Sequence, residues 1–209
     1  MSSTLIDLHF LPSLEYFCAL VPFDNIILEK HEHFAKQSFR NRCYILSSQG
    51  VARLSVPLTS KGGKVLIKDV AIDYSSRWPA NFWRSLETAY AKAPYYEHYA
   101  DELHTEIFSN EKFLFDLNRR LLSLCLRWLR WDKIISESTT YEKIGSPDIL
   151  DLRGLISPKK DFQGREYYQG LPYQQVFGNT FVPNLSLIDL VFCVGPGAAA
   201  LVRGSQKKN

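Results

Sequence analysis

Across residues 111–131 apolar side chains recur at Phe115, Leu117, Leu121, Leu122, Leu124, Cys125, Trp128 and Leu129, the densest helical periodicity in the chain. An apolar stripe of that length has to be covered, which commits the chain to a globule with a long helix laid against a core. Arg119, Arg120, Arg127 and Arg130 read as the wet side of that helix. Asp116 and Asn118 interrupt it, and two positions apart on a helix they point in different directions, so capping or solvent accounts for one of them. A second helix is expected over residues 79–92, with Pro79 in its first turn and Trp83, Leu86, Glu87 and Tyr90 on one face. Pro94 stops it, and Tyr95-Tyr96 open a third pattern running to about residue 108.

The flanks of this helical middle read as strands. Residues 5–10 form a short apolar segment stopped by Pro12, followed by helical spacing at Leu14, Phe17, Cys18 and Val21 and a buried-type strand over residues 24–28. Residues 43–46 and 51–56 flank the turn Ser47-Ser48-Gln49-Gly50 and predict a hairpin. Residues 61–64 read as a flexible loop and 65–72 as the next strand. Residues 133–138 and 173–177 are strand-like, and Asp151-Leu152-Arg153 sits in a loop or short strand. Asn184 is placed to cap a helix over 185–193 that Gly195-Pro196 ends, with a short turn over 197–203 and a frayed tail at 205–209. The expected fold is α/β or α+β: a mixed sheet from the N-terminal and C-terminal parts around a helical middle, in one domain over residues 1–204.

Composition narrows the function classes. A net charge of +3, dispersed along 209 residues, does not suggest a nucleic-acid protein. The expectation is no membrane span, since no apolar run is read as approaching the ~18 residues needed, and no secretory leader at Met1-Ser2-Ser3-Thr4. Cys18, Cys43, Cys125 and Cys193 stand singly among apolar neighbours and read as buried, reduced thiols of a cytoplasmic protein. Only Cys43 lies near the positive charge that a reactive thiol needs. There is no P-loop, no dinucleotide fingerprint and no nucleophile elbow, and the sequence names no cofactor.

The chemistry-bearing stretch is Lys36-Gln37-Ser38-Phe39-Arg40-Asn41-Arg42-Cys43, in which three cations crowd together just before a strand. Crowded cations need an anion or an acidic partner such as Glu29 or Glu32. Arg offers a planar fork of donors that matches carboxylate or phosphate, and Asn41 adds a donor and an acceptor. The alternatives are a solvated charge cluster and a site for an anionic small molecule; the rigid strand end favours the second. His31 and His33 would share one face of a strand, but a third metal ligand is not evident. His33 beside Lys36 and Arg42 is the alternative, as a general acid or base. Trp78, Trp83, Arg84, Tyr90, Tyr95, Tyr96 and Tyr99 read either as packing or as a shelf for a sugar or nucleoside. Asp151 and Arg153 are placed to pair. Asp189, inside an apolar helix, would need a cation if buried, and Arg42 or Lys36 would serve.

With those residues in view, the chain resembles the WbqC-like protein family, in particular its Bacteroidetes-type members. The resemblance is carried by Leu11-Pro12-Ser13-Leu14-Glu15-Tyr16-Phe17, by Phe34 through Cys43, and by Leu54-Ser55-Val56-Pro57. It continues in Trp83-Arg84-Ser85-Leu86-Glu87-Thr88-Ala89-Tyr90 with Pro94-Tyr95-Tyr96, in Tyr173-Gln174-Gln175-Val176-Phe177, and in Phe181 through Leu190. It implies a link to O-antigen or other surface polysaccharides and an aminoacyl (glycine) transferase activity. The opening also resembles that of nucleotidylyl transferases at the level of fold, with Leu14-Glu15-Tyr16-Phe17 where their H-x-G-H element would stand.

The resulting expectation is a cytoplasmic transferase that adds an aminoacyl or similar group to an activated sugar or glycan precursor. Lys36, Arg40, Arg42 and Arg84 would hold the anionic part of a sugar-nucleotide substrate, with Trp83, Tyr90, Tyr95 and Tyr96 as its aromatic shelf. His33 would move a proton, Asn41 would orient the reacting group, and Asp189 would position the basic cluster. The alternative is a non-catalytic module that binds a sugar nucleotide or a partner chain in a biosynthetic complex.

Overall fold

The computed structural model describes residues 2–59, 64–142 and 148–207. Strand β1 (Ser3–Asp7), helix α1 (Leu14–Leu20) and strand β2 (Asn25–Glu29) make a β-α-β unit, the two strands parallel with Ser3 opposite Asn25 and Asp7 opposite Glu29. Strands β3 (Arg42–Ser47) and β4 (Gly50–Ser55) form the expected hairpin, antiparallel, with Arg42 opposite Ser55 and Ser47 opposite Gly50. Gly50 takes φ 95°, a conformation that only glycine adopts without strain.

The helical middle comprises α2 (Trp78–Tyr90), α3 (Tyr96–Ile107) and α4 (Leu114–Trp128). On α2 the buried stripe is Trp78, Phe82, Leu86, Ala89 and Tyr90, so Glu87 is exposed rather than part of the core face. On α4 Asn118 is buried and donates through Nδ2 to the carbonyl of Arg40 at 2.7 Å, while Asp116 faces solvent. Strands β5 (Ile134–Glu137) and β6 (Ile149–Asp151) then join the first two in a four-stranded parallel sheet of order β5-β2-β1-β6. The α/β expectation holds, with the hairpin as a separate two-stranded sheet. β1 lies inside the sheet and is buried from Thr4 to Asp7, as parallel strands covered on both faces are. The edge strands leave Ile134 and Leu150 more than half exposed.

Helices α5 (Leu187–Val194) and α6 (Ala198–Gly204) close the chain. The stretch Leu187–Gly204 has 18 residues and a mean hydropathy of 1.6, which corrects the expectation that no run reaches the length of a membrane span. It is broken at Gly195-Pro196, where Gly195 takes φ 61°, and 56% of it is buried inside the fold. A Cβ on Gly195 would lie 2.4 Å from the Tyr95 ring. α6 packs on α1, and the Cys18 thiol donates to the carbonyl of Val202 at 3.3 Å.

Four local expectations change. Residues 65–72 are not a strand. Buried Ile67, Val70 and Ile72 do not alternate, and the backbone around them bridges three separate partners, at His33, Leu58 and Phe113. Residues 173–177 are irregular because Tyr173 and Gln175 turn polar side chains inward. Asn184 does not cap α5. At φ 58° it turns its Oδ1 to accept the Glu15 N–H in the first turn of α1 at 2.9 Å. In the tail, Ser205 is buried, Gln206 bridges Tyr168, and Lys207 N–H donates to the carbonyl of Tyr167. The loop expected at 61–64 falls, apart from Lys64, outside the described residues.

Candidate functional site

From β1 the chain passes to β2 and β5 on one side, and it later returns to place β6 on the other. Such a switch point leaves a crevice beyond the carboxyl ends of the strands, where open α/β sheets bind ligands. β1 ends there on Asp7 with His9 two residues on, β2 ends on Glu29 with Glu32 following, and β6 ends on Asp151 with Arg153 following.

These side chains form one buried, charged cluster. His9 Nε2 is 2.9 Å from Asp7 Oδ2, and its ring lies 4.8 Å from that of Tyr16 and 5.4 Å from that of Phe39. Arg40 reaches in from the loop after β2. It donates through Nε and Nη2 to the two Glu32 oxygens at 2.7 Å each, and its Nη2 is 3.0 Å from Asp7 Oδ2. The Gly154 N–H donates to Asp7 Oδ1 at 2.8 Å. Glu29 accepts from Arg153 Nη1 at 2.8 Å, the Ser138 hydroxyl at 2.6 Å and the His31 N–H at 2.8 Å. Arg153 also holds Asp151, as the sequence suggested, with Nη2 to Oδ2 at 2.6 Å.

Burial and pairing pull these groups in opposite directions. Desolvation alone would raise the Asp7 carboxyl, but His9, Arg40 and the Gly154 N–H outweigh it and hold it well below the usual carboxylate range. At Glu32 burial wins and the carboxyl is raised, with Arg40 opposing and the Asp7 and Glu29 charges adding to the rise. The hydrogen bond from Arg153 lowers Asp151. The most informative atom is His9 Nδ1, which is buried and has no hydrogen-bond partner among the described residues. A buried polar atom without a partner is costly, and sites of reaction are among the places where that cost is retained. Nearby, Leu11 sits at φ 43°, a strained conformation for leucine, with its carbonyl held by the Ser186 hydroxyl at 2.7 Å.

The residues singled out from sequence disperse. Lys36 is exposed. Arg40 lies inside the cluster, committed to carboxylates of its own chain. Asn41 donates to the carbonyl of Val56 at 2.9 Å. Arg42 is half-buried on β3, with its Nε buried and without a hydrogen-bond partner among the described residues. His33 is exposed and bridges Leu66 through its backbone, while His31 Nδ1 lies 3.4 Å from Ser138 Oγ. Among the described residues no three His, Cys, Asp or Glu side chains are arranged to hold a metal ion.

The aromatic set packs along the helices. Trp83 sits edge-on to His104 at 4.8 Å, Tyr96 lies 5.3 Å from Phe192, Tyr95 is half-buried and Arg84 is exposed. The expected cation beside Asp189 is replaced by neutral donors. Its buried carboxylate accepts from the Tyr90 and Tyr173 hydroxyls at 2.6 Å each and from Gln175 Nε2 at 3.0 Å. Three oriented donors satisfy a buried carboxylate without a counter-ion, although burial still raises its pKa. Cys43, the thiol nearest positive charge in sequence, is buried and its pKa is driven upward by that burial; Cys18, Cys125 and Cys193 are pushed up to about 12.

Asp7 and His9 were not among the residues singled out; of the two acidic partners expected for the crowded cations, Glu32 does hold Arg40, whereas Glu29 pairs with Arg153. The signal for Asp7 and His9 was present: a polar residue at every second position where the first apolar strand ends puts them on one face, at the end of the sheet where α/β proteins bind ligands.

Fold and site together define an α/β protein with an acid, imidazole and guanidinium cluster at the switch point of a parallel sheet. The chain belongs to the WbqC-like protein family, whose model matches residues 8–172. It is also similar to the uncharacterized protein Rv1507c of Mycobacterium tuberculosis (strain ATCC 25618 / H37Rv), 26% identical over 230 residues that span 95% of this chain and 96% of that protein. No solved structure matches the chain.

Proposed function

We propose that this protein is a group transferase of surface-polysaccharide biosynthesis, adding an aminoacyl or similar group to a sugar-nucleotide-class substrate, with His9 as its proton-transfer residue. The observation that carries the reading is the His9 imidazole, oriented through Nε2 by Asp7 and left, among the described residues, with no partner for its Nδ1 just beyond the carboxyl end of β1. The same division of labour, one ring nitrogen on a carboxylate and the other free to take a proton, is the logic of hydrolase triads.

In the step proposed, Nδ1 takes the proton from a substrate hydroxyl or amine as that oxygen or nitrogen bonds to the acyl carbon of an activated donor. The bond from that carbon to the donor's leaving group breaks. The leaving group departs with the electron pair and receives the proton from His9. Asp7, held ionised by Arg40 and Gly154, stabilises the imidazolium in between. His9 is fully buried, so substrate reaches it by displacing the Phe39 ring that packs against it. Four free, buried cysteines support a cytoplasmic setting.

The test is turnover of nucleotide sugars with activated acyl donors, read by mass spectrometry. His9→Gln is expected to lose about 10²–10⁴-fold in kcat, the usual range for a general acid or base, with substrate affinity little changed. Wild-type turnover in His9→Gln refutes the assignment. Saturable binding with no turnover by the wild-type protein favours the non-catalytic binding module.

A further inference from the structure

Beside the buried cluster opens a cleft of about 380 Å³, within the roughly 300–1,000 Å³ usual for small-molecule sites. It shares Phe39 with the cluster: the ring that packs on His9 also lines the cleft. Tyr44 and Phe162 add two further aromatic faces, the Tyr44 ring standing edge-on to Phe39 at 5.9 Å. Lys159 and Lys160 stand exposed on its lining, and neither ammonium has an ion-pair partner among the described residues.

The other charged residues on this lining are Arg165 and Asp161. Arg165 is held by both Glu15 oxygens, with Nη2 to Oε2 at 2.6 Å, and its Nη1 reaches the carbonyl of Ser157 at 3.1 Å. That pairing ties the segment carrying the two lysines to α1. The Asp161 carboxylate accepts the Gln163 N–H at 3.0 Å in a local turn. With Arg165 paired to Glu15, the two lysines outweigh the single Asp161 carboxylate, so the cleft combines a net positive charge with aromatic side chains, and it adjoins the proposed reacting imidazole.

We infer that this cleft holds a nucleoside diphosphate, with the base against the Tyr44 and Phe162 rings and the phosphates at Lys159 and Lys160. Aromatic faces accept any base by stacking, and two lysines provide point charges for a phosphate chain. The inference deepens the transferase reading, because it assigns the nucleotide part of that substrate to a place beside His9.

Isothermal titration of the full chain with uridine, adenosine and guanosine diphosphates tests it, with the matching nucleosides and inorganic pyrophosphate as comparison probes. At least one diphosphate is expected to bind. Lys159→Ala/Lys160→Ala and Tyr44→Leu should each weaken it by about tenfold or more, while His9→Gln leaves it unchanged. The lysine pair is exposed, so its loss leaves the fold intact. Absence of binding by every diphosphate overturns the inference. So does binding that the lysine pair does not alter, or pyrophosphate binding as tight as that of the best nucleotide. Diphosphate binding without any group transfer would sustain the cleft and refute the transferase. Transfer that ignores the lysine pair would do the reverse.

Discussion

Arg40 is the counter-ion around which the cluster is built, and removing it should be felt in stability before anything else. Arg40→Met keeps the length and apolar stem of the side chain while leaving Asp7 and Glu32 buried without their shared cation. Breaking a buried ion pair by removing one partner costs about 3–5 kcal/mol, because the remaining charge is stranded in a medium that solvates it poorly. With a urea slope of about 1–3 kcal/mol per molar, that corresponds to a midpoint lower by one molar or more.

The pH dependence has a definite sign. The folded Asp7 carboxyl is held below its unfolded value of 3.8, so its stabilisation is present above that value and is lost as pH falls through the folded pKa. Folded Glu32 is raised above 4.5 and contributes the opposite way: stabilising below 4.5, and fading as pH rises through the folded pKa. Without Arg40 both carboxyls take up protons more readily, so the deficit of Arg40→Met should be largest near pH 7 and shrink toward pH 4.5. Urea unfolding followed by circular dichroism at the two pH values measures both. A loss under about 1 kcal/mol at pH 7 would place Arg40 among weakly coupled surface charges. A deficit that stays constant or grows on acidification would refute stranded carboxylates as its cause.

Asp189→Ala removes the acceptor shared by Tyr90, Tyr173 and Gln175. Orphaned buried donors cost roughly 1–3 kcal/mol each before relaxation, so a loss of about 3 kcal/mol is expected in urea unfolding, with faster proteolysis in the 172–182 segment that Gln175 and Tyr173 tether. A thermally neutral Asp189→Ala would show that the carboxylate is not the clamp described. Gly195→Ala is expected to cost about 2 kcal/mol or more, since it adds a methyl 2.4 Å from the Tyr95 ring at a backbone φ of 61°. An unchanged melting temperature would mean that the α5–α6 break adjusts freely.

Much of the framework was legible because its causes are local. The α4 stripe, the Pro94 stop between α2 and α3, and the Ser47 to Gly50 turn each follow from residues a few positions apart. The site was harder to read because charge does not announce its partner. Arg40 sits among Lys36, Asn41 and Arg42 in the chain, and Glu32 is the nearby acid expected to pair with it, but its second partner, Asp7, comes from β1. Asn184 has the composition of a helix cap and is one, but for α1 rather than for the helix that follows it. Residues 173–177 read as strand-like, but Tyr173 and Gln175 turn their polar groups inward to Asp189.

The sequence alone determined the β-α-β opening, the hairpin, the three central helices and the pairing of Asp151 with Arg153, because hydrophobic period, turn chemistry and short-range charge act within a few residues of chain. Only the tertiary structure decided that Asp7, His9, Glu29, Arg40 and Arg153 converge. The strand order sets which carboxyl ends meet, and a buried charge is tolerated only where distant segments deliver its partner.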